Sequence, residues 1–445
     1  MKTRKMRIAA AMLSACVALT TVFSLSACSP ASPASETSGL GITSAKLNER
    51  GELVIEYSDG RQQNLGAISN EGTTIHVEGS QGDVSAAASA GLASAVSVTA
   101  NFVRTYNNSY GGFFPGFGMG GGTTTQEYPS KGSGVIYKLD RQTGSAFIIT
   151  NYHVVYDSAC NTKDGISDDI EVFLYGAEGE EYAIPAKYVG GSLYYDIAVL
   201  YVEGADALKN SVHNAPKVAN SDDVSVGTTA IAIGNPEGNG ISASLGIVSV
   251  NSEYITMTAA DGSSYVQFRV MRVDTAVNSG NSGGGLYNEK GELIGIVNAK
   301  IVDSTVENIG YAIPSNVAIA VADNIVDNCF GKDTRTVKRA LLGITLGSSD
   351  SIAVMDTDSG TLKVKERVSV AEISEGSPAY GKLKVGDVIK SATLGSETIE
   401  VTRKHHIIDL LLKARVGDSV SIKVDRNGTE IDVTVTITES CIVEY

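Results

Sequence analysis

Between residues 132 and 314 the chain repeats one pattern: short apolar runs, each stopped by Gly, Asn or Asp. Examples are the runs FIIT at 147–150, DIAVL at 196–200 and LIGI at 293–296. Runs of that length between turn residues predict strands rather than helices, and their number predicts a mainly β region. The 48 glycines and the absence of tryptophan suit strands joined by tight turns. At 445 residues the chain has room for two or three domains.

One turn inside this region carries chemistry. Residues 280–284 read GNSGG, a serine framed by glycines. Such a stretch alone is ordinarily a loop. It signals a nucleophile only where a base and an orienting acid also exist, because a serine hydroxyl needs an imidazole to take its proton. The imidazole in turn needs a carboxylate on its other nitrogen to fix its tautomer. His153 follows the apolar run 147–150, and Asp196 opens the run 196–200. The other histidines, His76, His213, His405 and His406, have no such strand before them. We therefore expect His153, Asp196 and Ser282 to act together. The order His, Asp, Ser is that of chymotrypsin-type β-barrel proteases. The N–H groups of Gly280 and Ser282, with Asn281 between them, are expected to form an oxyanion hole. Gly283 and Gly284 are expected to leave room for substrate.

The residues then reach a family. The segments GSGVI (132–136), TNYHVV (150–155), DIAVL (196–200), AIGNP (232–236) and LGIVS (245–249) occur in one order. They are followed by DTAVNSGNSGGGL (274–286), GELIGI (291–296) and IGYAIPSN (309–316). In this the chain resembles the HtrA (DegP/DegS-like) serine proteases. It departs from their pattern at Ser279, where proline is usual, and at Gly285, where proline or alanine is usual.

The resemblance implies a trypsin-like double β-barrel at 81–318, with the site in the cleft and a regulatory loop at 107–131. That loop is rich in Gly and aromatics; Phe113, Phe114 and Phe117 would be covered by a partner subunit, a homotrimer being the family expectation. Apolar residues at helical spacing over 315–330 predict a linking helix that overlaps the segment 319–337 assigned to link the two domains. Residues 338–440 resemble a PDZ domain, with a helix at 405–414 beside the peptide groove. There the N–H groups of Leu342, Gly343 and Ile344 would capture the C-terminal carboxylate of a peptide that adds a strand to the sheet edge. Without the resemblance, that segment reads simply as a buried strand with a glycine. By resemblance the specificity pocket lies near Asn278, Asn298, Ala299 and Ile309.

The N-terminus reads as an export signal, with Lys2, Arg4, Lys5 and Arg7 before an apolar stretch from Ile8 to Leu25. Residues 25–28 (LSAC) resemble a bacterial lipobox, which would remove 1–27, make Cys28 the lipidated first residue and leave 28–40 as a tether. A retained transmembrane anchor is the other reading of the same stretch. Residues 41–80 hold a small β unit of unassigned role, and 85–96 reads as helical before a strand at 97–106. The net charge of −15, with no basic run beyond the N-terminus, argues against a nucleic-acid surface. No CxxC or His/Cys cluster points to a metal, and no P-loop points to ATP. Cys160, Cys329 and Cys441 are odd in number after Cys16 and Cys28 are set aside, so they cannot all pair internally.

Two function classes follow. One is an ATP-independent serine endopeptidase of the cell envelope that cleaves unfolded proteins and reads C-terminal peptides; the other is a non-catalytic chaperone or sensor that uses only the peptide groove. No cofactor is implied. The pocket segment carries no aspartate at the expected base, so a basic residue is not expected before the cut; the resemblance implies a small or medium aliphatic one, such as Val or Ala. Profiling against a peptide library checks this; dominance of Arg or Lys before the cut would refute it.

Overall fold

The computed structural model describes residues 42–47, 52–57, 62–67, 84–108, 122–209, 211–299, 309–357 and 359–444, the first three segments by backbone. The chain divides into two compact units, Met1–Ile75 and His76–Tyr445. In the first, β1 (Ile42–Leu47), β2 (Glu52–Tyr57) and β3 (Gln62–Ala67) form an antiparallel meander. The strand expected from the run ELVIEY is β2.

The first described element of the second unit is the helix Ser85–Leu92. It stops earlier than the sequence suggested, because Ala95 and Val96 already pair with Val135 and Gly134. Six strands then close a barrel: β4 (Ala95–Asn108), β5 (Gly122–Asp140), β6 (Ser145–Thr150), β7 (Asp169–Leu174), β8 (Ile184–Ser192) and β9 (Ile197–Val202). Six more close a second: β10 (Thr229–Gly234), β11 (Ser242–Thr258), β12 (Tyr265–Val273), β13 (Gly285–Tyr287), β14 (Leu293–Val297) and β15 (Gly310–Pro314). Both barrels run first, second, third, sixth, fifth, fourth strand around the ring, so one topology is used twice.

Strand periodicity explains how one chain fills several cores. Successive side chains of a strand face opposite ways. On β9, Ala198, Leu200 and Val202 fill the first barrel, while Ile197 and Val199 face the core shared with the second barrel. On β10, Ile231 and Ile233 enter that shared core and Ala230 and Ala232 line the second barrel's interior. The strands are therefore apolar on both faces, as the continuous runs in the sequence required.

The loop expected at 107–131 is narrower than that. Residues 122–129 pair with 101–108, extending the β4–β5 hairpin. Thr123, Thr124, Thr125 and Tyr128 have the strand preference that outweighs the neighbouring glycines. Phe113, Phe114 and Phe117 lie outside the described residues.

The helix Ser315–Cys329 places Ala318, Val321, Ala322, Ile325 and Cys329 in the shared core. Gly331, at a φ of +70°, follows its end, so residues 330–337 of the expected linking segment are not helical.

The last module is built from β16 (Lys338–Ala340), β17 (Ile344–Asp356), β18 (Thr361–Ile373), β19 (Val388–Leu394), β20 (Glu397–Glu400), β21 (Ser419–Arg426), β22 (Thr429–Thr436) and β23 (Ile442–Glu444). The main sheet runs β17-β18-β19-β21-β22, which leaves β17 as an edge. The helix Lys404–Lys413 packs over its core through Ile407, Leu410 and Leu411. The module runs past residue 440, because β23 pairs with β16.

Its fully buried carboxylate, Asp387, receives Nε and Nη2 of Arg426, each at 2.7 Å, and the Lys384 N–H at 2.8 Å. The Arg426 hydrogen bonds hold the Asp387 carboxyl below the usual carboxylate range. A folded value below the unfolded one means the contribution is complete above the ordinary Asp value of about 3.9 and is lost as pH falls through the lowered folded value. Arg426→Ala should cost about 2–3 kcal/mol by leaving Asp387 buried with one donor. Urea unfolding at neutral pH checks the magnitude, and the gap between variant and parent should shrink in acid.

Candidate active site

Strand β6 ends at Thr150, and Asn151 stays extended before a single helical turn, Tyr152–Val155, which carries His153. The sequence placed this histidine at a strand end; one turn of helix intervenes and swings the ring into the cleft. Asp196 sits between β8 and β9 with a φ of +51°, a conformation that costs a non-glycine residue roughly 1–2 kcal/mol. Hydrogen bonds hold it there. Its carbonyl accepts from Asn151 Nδ2 at 2.7 Å and from the Tyr152 N–H at 3.2 Å. Its Oδ1 accepts the His153 backbone N–H at 3.0 Å.

The three residues expected to act together do meet. His153 Nδ1 lies 2.7 Å from Asp196 Oδ2, and His153 Nε2 lies 3.0 Å from Ser282 Oγ. A carboxylate can only accept, so Nδ1 carries the hydrogen and Nε2 presents a lone pair to the serine. Asp196 and Ser282 are buried, and the imidazole is more open to the cleft. The Ala299 N–H also donates to Ser282 Oγ, at 3.2 Å.

Gly280 takes a φ of +96°. The peptide planes around it are pinned by their carbonyls. The Ser279 carbonyl accepts from the Glu237 N–H at 2.9 Å, so the Gly280 N–H, trans across the same plane, points the other way. The Asn281 carbonyl accepts from the Gly284 N–H at 3.0 Å, which turns the Ser282 N–H outward by the same logic. Among the described residues neither N–H has a backbone acceptor. Asn281 itself is buried, its N–H on the Asn278 carbonyl and its Nδ2 3.3 Å from the Ala276 carbonyl.

Gly283 and Gly284 do not make room for substrate, as the sequence suggested. A Cβ on Gly283 would lie 2.2 Å from the Ser133 carbonyl oxygen, and one on Gly284 would lie 2.2 Å from that of Ile233. The room is taken by the protein's own backbone. At Gly285 a Cβ would meet the Tyr287 hydroxyl at 2.3 Å; that buried ring bonds Ser94 Oγ at 2.7 Å, which accounts for glycine at this position.

The pocket residues divide. Asn298 is fully buried and donates from Nδ2 to Asp196 Oδ2 at 2.8 Å, so its side chain serves the carboxylate rather than a pocket. Ala299 is half-buried beside Ser282, Asn278 is exposed, and Ile309 is half-buried just before β15. Residues 300–308, between Ala299 and Ile309, lie outside the described residues. Sequence reasoning gave no role to Ser133, whose Oγ donates to the Gly280 carbonyl at 2.7 Å and accepts the Asn235 N–H at 2.8 Å. Its position inside GSG at 132–134 was the available signal.

A second receptive feature lies in the last module. Gly343 has a φ of +71°, and a Cβ there would lie 2.2 Å from Ser377 Cβ, so only glycine fits. The Leu342 carbonyl accepts from the Ala379 N–H and the Gly343 carbonyl from the Ser374 N–H. The N–H groups of Gly343 and Ile344 consequently point away, toward the open side of edge strand β17. Cys28 and His76 lie outside the described residues. Cys160, Cys329 and Cys441 are free thiols, and His213 is buried in a loop away from the site.

The chain is similar to known proteins over both of its larger modules. A family profile described as a trypsin-like peptidase domain matches residues 132–296, and a PDZ domain profile matches 340–437. The chain is 33% identical over 328 residues to "Serine protease Do-like HtrA" of Bacillus subtilis (strain 168), covering 71% of this chain and 65% of that protein. It is 30% identical over 349 residues to "Serine protease Do-like HtrA" of Lactococcus lactis subsp. cremoris (strain MG1363), covering 75% and 78%. It is 33% identical over 315 residues to "Probable periplasmic serine endoprotease DegP-like" of Hahella chejuensis (strain KCTC 2396), covering 70% and 58%.

Asn298 gives the site a test separate from its reacting atoms. Asn298→Ala removes one hydrogen bond to a buried charge and should slow labelling of Ser282 by a fluorophosphonate about 10- to 100-fold. The labelling rate, measured beside the melting temperature, checks it.

Proposed function

Because the chain belongs to the HtrA family of trypsin-like serine proteases that carry a C-terminal PDZ domain, we propose that it is an ATP-independent endopeptidase that cleaves unfolded or misfolded proteins outside the cytoplasm. The observation that carries this reading is the unbroken relay from Asp196 Oδ2 through the His153 ring to Ser282 Oγ, at 2.7 and 3.0 Å.

In this reading Ser282 Oγ attacks the peptide carbonyl while His153 Nε2 takes its proton. Asp196 holds the imidazole in the required tautomer and stabilises the imidazolium that forms. The Gly280 and Ser282 N–H groups receive the developing oxyanion. His153 then returns the proton to the leaving amine, and water, activated by the same imidazole, releases the acyl group from Ser282. Asn281 keeps the loop in register between the two donors. Asn278, Ala299 and Ile309 border the pocket that selects the residue before the cut. No metal or organic cofactor enters these steps.

The PDZ module supplies recognition. A C-terminal peptide adds to the open edge of β17, its carboxylate meeting the N–H groups of Leu342, Gly343 and Ile344. We place the protein at the extracytoplasmic face of the cell membrane, held by a lipid on Cys28 after removal of 1–27, and assembled as a homotrimer through the aromatic loop. Support for the location comes from the basic and apolar N-terminus and from the LSAC motif. Among the described residues no helix is long and apolar enough to cross a membrane.

The test is cleavage of unfolded casein by the parent chain and by Ser282→Ala, with fluorophosphonate labelling with and without hydrophobic C-terminal peptides. The rate should fall by several orders of magnitude in the variant, and labelling should be confined to the parent. Absence of both labelling and cleavage, even with peptide, would move the protein to the non-catalytic class.

A further inference from the structure

The fold assembles a polar cluster that the reaction does not use. It lies where the second barrel meets the helix Lys404–Lys413 of the PDZ module. From the barrel side comes Asp222, in the turn Ser221–Asp223; from the helix come His405 and His406. One ligand-type atom from each of the three lies within 4.8 Å of the others. They open onto a cleft of about 590 Å³, which Asn251, Ser252 and Glu400 also line.

The geometry points to a site for a divalent transition-metal ion of the Zn²⁺ class, bound by Asp222, His405 and His406 across the junction of the two modules. Two imidazoles and one carboxylate form a donor set that suits Zn²⁺ and its neighbours rather than Mg²⁺ or Ca²⁺, which prefer oxygen ligands throughout. Ligand bonds of about 2.0–2.1 Å place the donors of a tetrahedral site roughly 3.4 Å apart. His405 Nε2 and Asp222 Oδ1 already stand at 3.5 Å. His406, half-buried and facing the cleft, offers a ring nitrogen within 4.8 Å of both other donor atoms.

The surroundings are those of a supported site. His406 Nδ1 lies 3.0 Å from the Glu400 carbonyl, which can only accept, and 3.3 Å from the Thr402 N–H, which can only donate; the tautomer that satisfies the shorter contact puts the hydrogen on Nδ1 and the lone pair on Nε2. His405 Nδ1 faces Ser252 Oγ at 3.4 Å. A hydroxyl can donate or accept, so His405 can give up its Nε2 hydrogen to a metal and keep a partner at Nδ1. Asp222 already accepts from Arg269 Nη1 at Oδ1 and from Asn316 Nδ2 at Oδ2, at 2.8 and 3.1 Å. Each oxygen retains capacity for a further partner. Arg269 is shared between Asp222 and Asp409, at 2.8 and 3.0 Å; the other cations lining the cleft, Lys363, Lys365 and Arg403, are paired with Asp356, Glu400 and Glu366, so the two carboxylates on Arg269 exceed the charge it supplies.

An ion here would tie the turn of the second barrel to the helix that flanks the peptide groove. The proposal does not depend on proteolysis. Full-length protein carrying Ser282→Ala, stripped with EDTA, is titrated with Co²⁺ and followed by its visible absorption, then with Zn²⁺ in a calorimeter. We expect one ion per chain, the visible bands of low-symmetry Co²⁺ without a thiolate charge-transfer band, and binding weakened at least about tenfold by His406→Gln and by Asp222→Asn. Melting of both variants in EDTA shows whether each remains folded. Absence of binding, a thiolate band, or affinity unchanged in folded His406→Gln would overturn the proposal, because the ion would then sit at His153, at the free cysteines or nowhere.

Discussion

Asp196 is the point on which both barrels turn. Its carboxylate accepts from the His153 backbone, the His153 ring and Asn298, and its carbonyl accepts from Asn151 and Tyr152. All of these donors but Asn298 belong to the first barrel; Asn298 follows β14 of the second. Burial removes water as a competitor, so the carboxylate relies on these donors for its solvation. The same bonds offset the strain of a left-handed backbone at Asp196. Geometry at Ser282 thus depends on how the two barrels dock, and the docking depends on the apolar core they share with the helix Ser315–Cys329.

Around the serine, order comes from closeness of backbone to backbone. Ser133 illustrates it: its N–H donates to the Ser282 carbonyl at 2.8 Å, its carbonyl accepts from Thr150 Oγ1, and its hydroxyl binds the Gly280 carbonyl. The segments that bear His153 and Ser282 are cross-linked through one residue of β5. Glycine at 132, 283 and 284 permits that approach, because any Cβ would lie within 3.0 Å of a neighbouring atom. A loop so held leaves the Gly280 and Ser282 N–H groups without a backbone acceptor among the described residues, the arrangement that the proposed oxyanion site requires.

Much of this was readable before the fold was known, for identifiable reasons. Barrel strands such as β6, β9 and β10 announce themselves because they bury both faces and so appear as uninterrupted apolar runs. The meeting of His153, Asp196 and Ser282 was readable because the chemistry expected of them restricts residue types and histidines are few. Asn298 was not, since its partner Asp196 is 102 positions away and only the barrel docking brings them together. The hairpin of β17 and β18 was also hidden: its far half alternates weakly, with Ile352, Met355 and Leu362 all exposed, so no buried face sets a period. The paired stretch at 122–129 was masked by glycines beside it. At the module junction, His405 and His406 read as ordinary helix residues, because Asp222 joins them only through tertiary structure.

The pairing of β16 with β23, Lys338 opposite Glu444, joins the first and last strands of the PDZ module to each other. Its entrance and its exit therefore lie side by side, and the sheet between them is complete without help from the barrels. A module closed in this way behaves as a cassette. It can be inherited, duplicated or exchanged as one piece, with a single seam to repair. What such an exchange would have to rebuild is a mixed junction, where Leu412 enters the core shared by the barrels and Arg269, Asn324, Arg339 and Arg415 make polar contacts across the boundary, so this surface sets how specifically this reader is matched to this protease.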